Sequence, residues 1–215
     1  MLSRDAYLDG WAELHGGFDP RALRPVRWWL CLTYVVARPL ARLRVAPDLL
    51  TLLAVLVSAA AAACAAPGGR WWLLSALLVV TSGLLDNVDG AVAVLTARAT
   101  RWGFVLDSVA DRLGDLGYLL ALWLAGAPGP LCAAGAALAL LQEYVRARAG
   151  AAGMGEVGVL TVWERPTRVI VTAAFLLGAG LFRDELWAWL GAAAWVGLGV
   201  VGLGQLLPVV RRALR

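Results

Sequence analysis

Long apolar segments alternate with short turns along most of this chain, and the turns are rich in arginine, glycine and proline. A helix needs roughly 20 apolar residues to cross a hydrocarbon layer about 30 Å thick. The pattern therefore predicts an all-α membrane protein. Six transmembrane helices are expected, at about 48–66, 71–95, 103–126, 130–147, 166–182 and 186–207.

The segment before the first apolar run, residues 21–45, mixes arginines with Trp28, Trp29 and Tyr34. Arginines toward headgroups and aromatic rings toward acyl chains are typical of an amphipathic helix in the membrane interface. The alternative is a cytosolic juxtamembrane helix that packs against protein. We predict an N-terminal cytoplasmic segment with this interfacial helix at 1–46, followed by the six-span domain at 47–215.

Composition supports a membrane protein and narrows its chemistry. The chain is 61% hydrophobic and 16% charged, whereas soluble domains are about a quarter charged. The three cysteines are widely spaced in apolar surroundings, so they predict small buried side chains rather than a metal site or disulfides. The only histidine, His15, lies in a polar N-terminal stretch, which argues against a histidine-based site. We expect no nucleic-acid partner.

Arginines are concentrated on one side of the predicted membrane domain, and this sets its orientation. Only Arg70 and Arg183 fall on the opposite side. The positive-inside rule then places both termini and every arginine-rich loop in the cytoplasm. We expect a multi-pass protein of the plasma membrane that contacts membrane lipids.

Four aspartates lie within apolar segments, near the predicted cytoplasmic ends of the second and third spans. Asp86 and Asp89 are i,i+3 neighbours on one helix face, and Gly103, Asp107 and Asp111 form an i,i+4,i+8 stripe on the next helix. Ionisable side chains inside a membrane are costly and usually functional. Facing carboxylates favour hard divalent cations, which take oxygen ligands, and two such ions would organise phosphoryl transfer. In the alternative interpretation, these aspartates pair with Arg98, Arg101 and Arg112 to hold the bundle together.

Seven residues of this region follow the spacing of a known signature. Asp86-x-x-Asp89-Gly90-x-x-Ala93 followed by Gly103-x-x-x-Asp107-x-x-x-Asp111 resembles the motif of the CDP-alcohol phosphotransferase family, also called CDP-alcohol phosphatidyltransferases. The resemblance extends to the six spans, the interfacial helix and the "PDLLT" run at Pro47 to Thr51. It implies an enzyme of phospholipid biosynthesis that displaces CMP from a CDP-linked lipid with the hydroxyl of a polar alcohol at the cytoplasmic face. The donor that the resemblance implies is CDP-diacylglycerol.

The resemblance also implies roles for individual residues. Asp86, Asp89, Asp107 and Asp111 would ligate two Mg²⁺ or Mn²⁺ ions, and Asp111 would also be the general base toward the acceptor hydroxyl. Gly90, Ala93 and Gly103 would make room for the cytidine. Dimers are common in the family, so a homodimer is compatible with this interpretation.

One position departs from the family pattern. The family usually has an arginine directly after the alanine of its first half, and Val94 occupies that position. Arg98, expected one helical turn later on the same face, is a candidate replacement near the nucleotide, and Arg101 is another. The other interpretations are a changed donor or a catalytically degenerate relative that binds CDP-lipids without turnover.

A second arginine-rich stretch, residues 143–171, bears on the acceptor. Its arginines flank the loop between spans four and five and could bind an anionic acceptor such as a phosphate. The stretch is similar to the phosphatidylinositol-phosphate synthase branch of the family, in the run from Tyr144 to Ala149 and in the run from Glu164 to Arg168, and it departs from that branch at Gly150. Inositol phosphate is the acceptor that this similarity implies. The predicted acceptor or phosphate ligands are Arg101, Arg146, Arg148, Arg165 and Arg168.

The arginines and the aspartates each have one alternative role that stays open at this point. The arginines of residues 143–171 could serve only as topology signals and headgroup contacts. The aspartates could belong to a transporter, although transporters often show internal repeats and this chain shows none. Asp115 continues the aspartate stripe and could bind substrate or pair with Arg112 or Arg146.

Overall fold

The computed structural model describes residues 3–14, 19–154 and 160–215, so His15 lies outside the described residues. These residues form α-helices joined by short turns, with one 3₁₀ turn at Pro20–Ala22 and no strand among them. The helices are α1 (Arg4–Leu14), α2 (Arg24–Arg42), α3 (Pro47–Ala65), α4 (Trp71–Thr96), α5 (Arg101–Leu124), α6 (Gly129–Ala151), α7 (Arg165–Phe182) and α8 (Leu186–Ala213).

The all-α prediction is confirmed, and each of the six predicted apolar segments corresponds to one helix from α3 to α8. Among the described helices, four are long and apolar enough to cross a membrane, namely α3, α4, α7 and α8. A multi-pass membrane protein follows from these four. Since α5 and α6 carry more charged residues, the full count of six spans stays a prediction. The interfacial position of α2 also stays a prediction.

The turn between α4 and α5 is built by two local caps. Ala97 has a left-handed backbone (φ 54°) and donates its N–H to the Val94 carbonyl, while Arg98 donates to the Ala93 carbonyl at 2.9 Å. This is a Schellman motif, which satisfies the last carbonyls of α4. On the other side of the turn, the Thr100 hydroxyl accepts the Gly103 N–H at 2.9 Å and so caps the start of α5. The two aspartate-bearing helices are thus joined by only four residues, 97–100.

Packing divides the chain into two compact units. Unit 1 comprises Met1–Ala54 and Ser82–Asp111, and unit 2 comprises Val55–Thr81 and Arg112–Arg215. The core of unit 1 joins α1, α2, the first turns of α3 and the last turns of α4. It contains Leu30, Tyr34, Leu50, Val88 and Val92, all buried.

The core of unit 2 combines large aromatic residues with close helix contacts at small residues. Trp163 and Trp195 are fully buried and meet edge to face, with ring centroids 5.0 Å apart. At Gly117 of α5, an added Cβ would lie 2.9 Å from the Ser58 hydroxyl of α3. Small residues permit such close backbone approach in membrane helix packing.

Candidate metal and substrate site

Three of the predicted aspartates meet in unit 1. One carboxylate oxygen from each of Asp86, Asp107 and Asp111 lies within 4.8 Å of the other two, and all three residues are half-buried. Asp86 comes from α4, and the other two come from successive turns of α5. The i,i+4 spacing on α5 and the short turn between the helices therefore bring together the residues that the sequence predicted.

Asp89, the fourth aspartate, has a different environment. It is buried, with 4% exposure, and the Thr51 hydroxyl of α3 donates a hydrogen bond of 2.5 Å to its Oδ2. Because Asp89 follows Asp86 by three residues on α4, their side chains share a helix face. Thr51 was part of the "PDLLT" run in the sequence, but helical spacing alone gave no sign of its contact with Asp89.

The small residues of the motif have distinct surroundings. A Cβ at Gly90 would meet nothing within 4 Å, so the surface there is open, whereas Ala93 is half-buried. At Gly103, an added Cβ would lie 3.1 Å from the Thr100 hydroxyl. The N-terminal cap of α5 therefore leaves little space for a larger residue at this position, and room for a nucleotide stays a prediction.

The structure corrects the predicted geometry of Arg98. Helix α4 ends at Thr96, and the left-handed Ala97 turns the chain, so Arg98 is not one helical turn beyond Val94 on the same face. Arg98 is exposed in the turn, and Arg101 is exposed as the first residue of α5. Val94 itself is half-buried in the last turn of α4.

Three of the other predicted acceptor ligands lie at the surface or half-buried in unit 2. Arg146 of α6 forms an ion pair with Glu164, which also accepts the backbone N–H of Thr161 at 2.8 Å. Arg148 is exposed. Arg165, the first residue of α7, is half-buried and lies over α5, since a Cβ at Gly114 would meet its guanidinium at 3.2 Å.

Arg168, which was also predicted as an acceptor ligand, lies in the interior of unit 2. It is fully buried and donates to the Asp115 carboxylate at 2.7 Å, the Glu143 carboxylate at 3.1 Å and the Trp163 carbonyl at 3.1 Å. Arg112 also pairs with both acids, at 3.6 Å to Asp115 and 3.1 Å to Glu143. These four residues form the buried charge cluster of unit 2, in which Arg168 and Asp115 are buried and Arg112 and Glu143 are half-buried. Of the interpretations left open for Asp115, the structure shows pairing, with Arg112 and also with Arg168.

The three-carboxylate group fits a divalent cation by its donor set. All of its potential ligands are carboxylate oxygens, which suit hard ions such as Mg²⁺ or Mn²⁺ rather than metals that prefer sulfur or imidazole. Close carboxylates also repel one another, and a bound cation removes that repulsion.

Comparison with known proteins shows the family of this chain. Residues 44–201 match the CDP-alcohol phosphatidyltransferases. A phosphatidylinositol phosphate synthase of Mycobacterium tuberculosis is 32% identical over 84% of this chain and 83% of its own length. The corresponding protein of Mycolicibacterium smegmatis is 37% identical, and the aligned part spans 59% of each chain.

Solved structures agree with the sequence comparison. The M. tuberculosis phosphatidylinositol phosphate synthase with CDP-DAG bound superposes with a TM-score of 0.63 at 29% identity, covering 83% of this chain and 92% of that one. Its complex with manganese and citrate gives a TM-score of 0.66 at 28% identity, covering 83% and 88%. The resemblance seen in the sequence motif is confirmed: this chain belongs to the CDP-alcohol phosphatidyltransferase family of enzymes.

Proposed function

We propose that this chain transfers a phosphatidyl group from CDP-diacylglycerol to a polar alcohol and releases CMP. The observation that carries the proposal is the convergence of Asp86, Asp107 and Asp111 in a chain of this family. The acceptor oxygen forms a bond to the phosphorus that bears the lipid. The bond from that phosphorus to the CMP oxygen breaks, and the acceptor proton is removed.

In this proposal all four aspartates bind metal ions, and one of them also accepts a proton. Asp86, Asp89, Asp107 and Asp111 would hold two divalent ions, Mg²⁺ or Mn²⁺. When bound, such ions neutralise phosphate charge and stabilise the leaving CMP. The Asp111 carboxylate takes the acceptor proton, because a positioned carboxylate can act as a general base. Gly90 leaves the surface of α4 open, and Ala93, Gly103 and Arg98 are the further nucleotide candidates.

We propose inositol phosphate as the acceptor, because the relatives that this chain matches are phosphatidylinositol phosphate synthases. Arg146, Arg148 and Arg165 are the candidates in unit 2 for holding its phosphate, since arginine binds phosphate in a bidentate manner. Arg101 is the candidate in unit 1. Arg168 is set aside as a direct ligand because its guanidinium is fully buried against acids.

The proposed setting is the plasma membrane, with six spans, both termini in the cytoplasm and chemistry at the cytoplasmic face. The exposed Trp28 and the arginines of α2 support an interfacial position of this helix. The enzyme would act as a monomer or as a homodimer.

The decisive experiment measures CMP release by the purified protein in detergent. CDP-diacylglycerol and Mg²⁺ or Mn²⁺ are supplied with inositol phosphate, glycerol phosphate, inositol or serine in parallel. We expect turnover with inositol phosphate and loss of turnover in Asp111→Asn. The matched control is Asp184→Asn, because Asp184 is exposed just before α8, where it accepts the Leu186 N–H, and an asparagine oxygen can accept the same hydrogen bond.

The outcomes separate the alternatives. Turnover with a different alcohol would replace inositol phosphate but keep the reaction. No turnover with any acceptor would refute the proposal. Turnover that appears only in Val94→Arg would identify the protein as a degenerate relative whose missing arginine matters.

A further inference from the structure

Thr51 donates a side-chain hydrogen bond to Asp89, the buried aspartate of the motif. Both residues are 4% exposed, and the Thr51 Oγ1 lies 2.5 Å from the Asp89 Oδ2. The same hydroxyl lies 3.2 Å from the Pro47 carbonyl of its own helix. A hydroxyl has a single hydrogen, and the Asp89 oxygen is the nearer of the two acceptors. The hydrogen bond therefore joins the N-terminal part of α3 to α4 at the aspartate.

This contact has two physical consequences for Asp89. A buried carboxylate is destabilised unless hydrogen bonds compensate for its lost hydration, and Thr51 supplies one. The hydroxyl also orients the carboxylate to which it donates, because a hydrogen bond is favourable over a limited range of directions.

We infer that Thr51 is a positioning residue for the metal site, acting through Asp89. The inference rests on the proposed function, in which Asp89 is a metal ligand. Hydrogen-bond partners of metal ligands orient those ligands, and their loss typically weakens metal binding by about 10–100-fold. Thr51 takes no part in the chemistry itself; its hydroxyl sets the direction in which Asp89 presents its oxygens.

The test compares Mn²⁺ affinity, measured by electron paramagnetic resonance or calorimetry on the purified full chain without substrates. Thr51→Val removes the hydroxyl and keeps the shape, so we expect Mn²⁺ to bind about 10–100-fold more weakly. Thr51→Ser keeps the hydroxyl and should stay within about threefold of the wild type. The control is Thr96→Val, because the Thr96 hydroxyl donates to the Val92 carbonyl of its own helix and not to a predicted metal ligand.

A double variant separates positioning from general loss of structure. If Thr51 acts only through Asp89, then Thr51→Val should have little further effect on Mn²⁺ affinity in an Asp89→Asn background. Full additivity of the two changes would overturn the inference. Wild-type Mn²⁺ affinity in Thr51→Val would also overturn it, and so would a tenfold loss of Mn²⁺ affinity in Thr51→Ser. The Thr51→Ser measurement stays informative even if Thr51→Val does not fold. Failure of the wild type to bind Mn²⁺ would instead refute the proposed metal site.

Discussion

Replacing Arg168 by methionine tests whether this residue holds the fold or binds the acceptor. The Arg168 guanidinium is fully buried and donates to the carboxylates of Asp115 and Glu143. Methionine is flexible and apolar, so it fills much of the space of the arginine side chain. The change therefore removes the charge and its hydrogen bonds with little change in volume.

The expected loss of stability can be worked out from the partners. Asp115 is 3% exposed, and after the change its remaining partner in the cluster is Arg112 at 3.6 Å. Glu143 keeps its 3.1 Å contact with Arg112 and is partly exposed, so it contributes less. Removing one partner of a buried ion pair costs about 3–5 kcal/mol. For a chain of this size, that corresponds to a fall in Tm of about 6–20 °C.

The assay is thermal unfolding of the detergent-solubilised protein, with CMP-release kinetics on the same samples. Arg168→Met should lower Tm by the amount above, whereas Arg148→Met, at an exposed arginine, should leave Tm nearly unchanged. Adding Asp115→Leu to Arg168→Met should recover at least half of the loss, because a buried ion pair can often be replaced by apolar residues. An unchanged Tm together with a raised KM for the acceptor would refute this reasoning and restore Arg168 as a direct ligand.

Three further predictions concern local structure. Ala97→Gly should raise Tm by about 2–4 °C, since glycine relieves about 1 kcal/mol of left-handed strain. Gly69→Ala, at φ 61° in open space, should lower Tm. Changes of Tm with the opposite signs would contradict the left-handed cap. Gly117→Val should lower the free energy of unfolding by about 1–3 kcal/mol through its clash with Ser58, while Gly197→Ala, in open space, should not. Burial raises the pKa of Tyr7 to about 12, so its contribution to stability is fully present below about pH 10 and is lost as the pH rises through about 12. Tyr7→Phe should remove this dependence in alkaline unfolding, and an unchanged pH profile would contradict it.

The helices and the aspartate cluster were accessible to prediction because each depends on local spacing. The lengths of the apolar segments predicted the bounds of helices α3 to α7 to within a few residues, whereas α8 runs beyond its predicted end to Ala213. The i,i+4 rule placed Asp107 and Asp111 on one face of α5, and the short turn brought Asp86 of α4 to them. These are properties of one helix or of two consecutive helices.

The contacts that sequence reasoning missed join residues far apart in the chain. Thr51 and Asp89 are 38 residues apart, and Arg168 and Asp115 are 53 apart. Net charge and the spacing of apolar residues do not reveal which arginine of an arginine-rich stretch is buried in the helix bundle. One signal was present, because an acid in an apolar helix, such as Asp115, requires a compensating partner. The partner itself could be found only from the packing of α5 against α7.

The two polar clusters of this chain contrast in a way that bears on their roles. The buried charge cluster of unit 2 has two arginines and two acids, so its formal charges cancel within the protein and it needs no ion. Asp86, Asp107 and Asp111 instead bring oxygens of three like-charged groups within 4.8 Å, which is unfavourable for the ionised forms. Stability alone accounts for the first arrangement. The second arrangement would gain stability from a bound cation, which supports the metal site that we propose in unit 1. The ion pairs of Arg168 support a structural role for that residue.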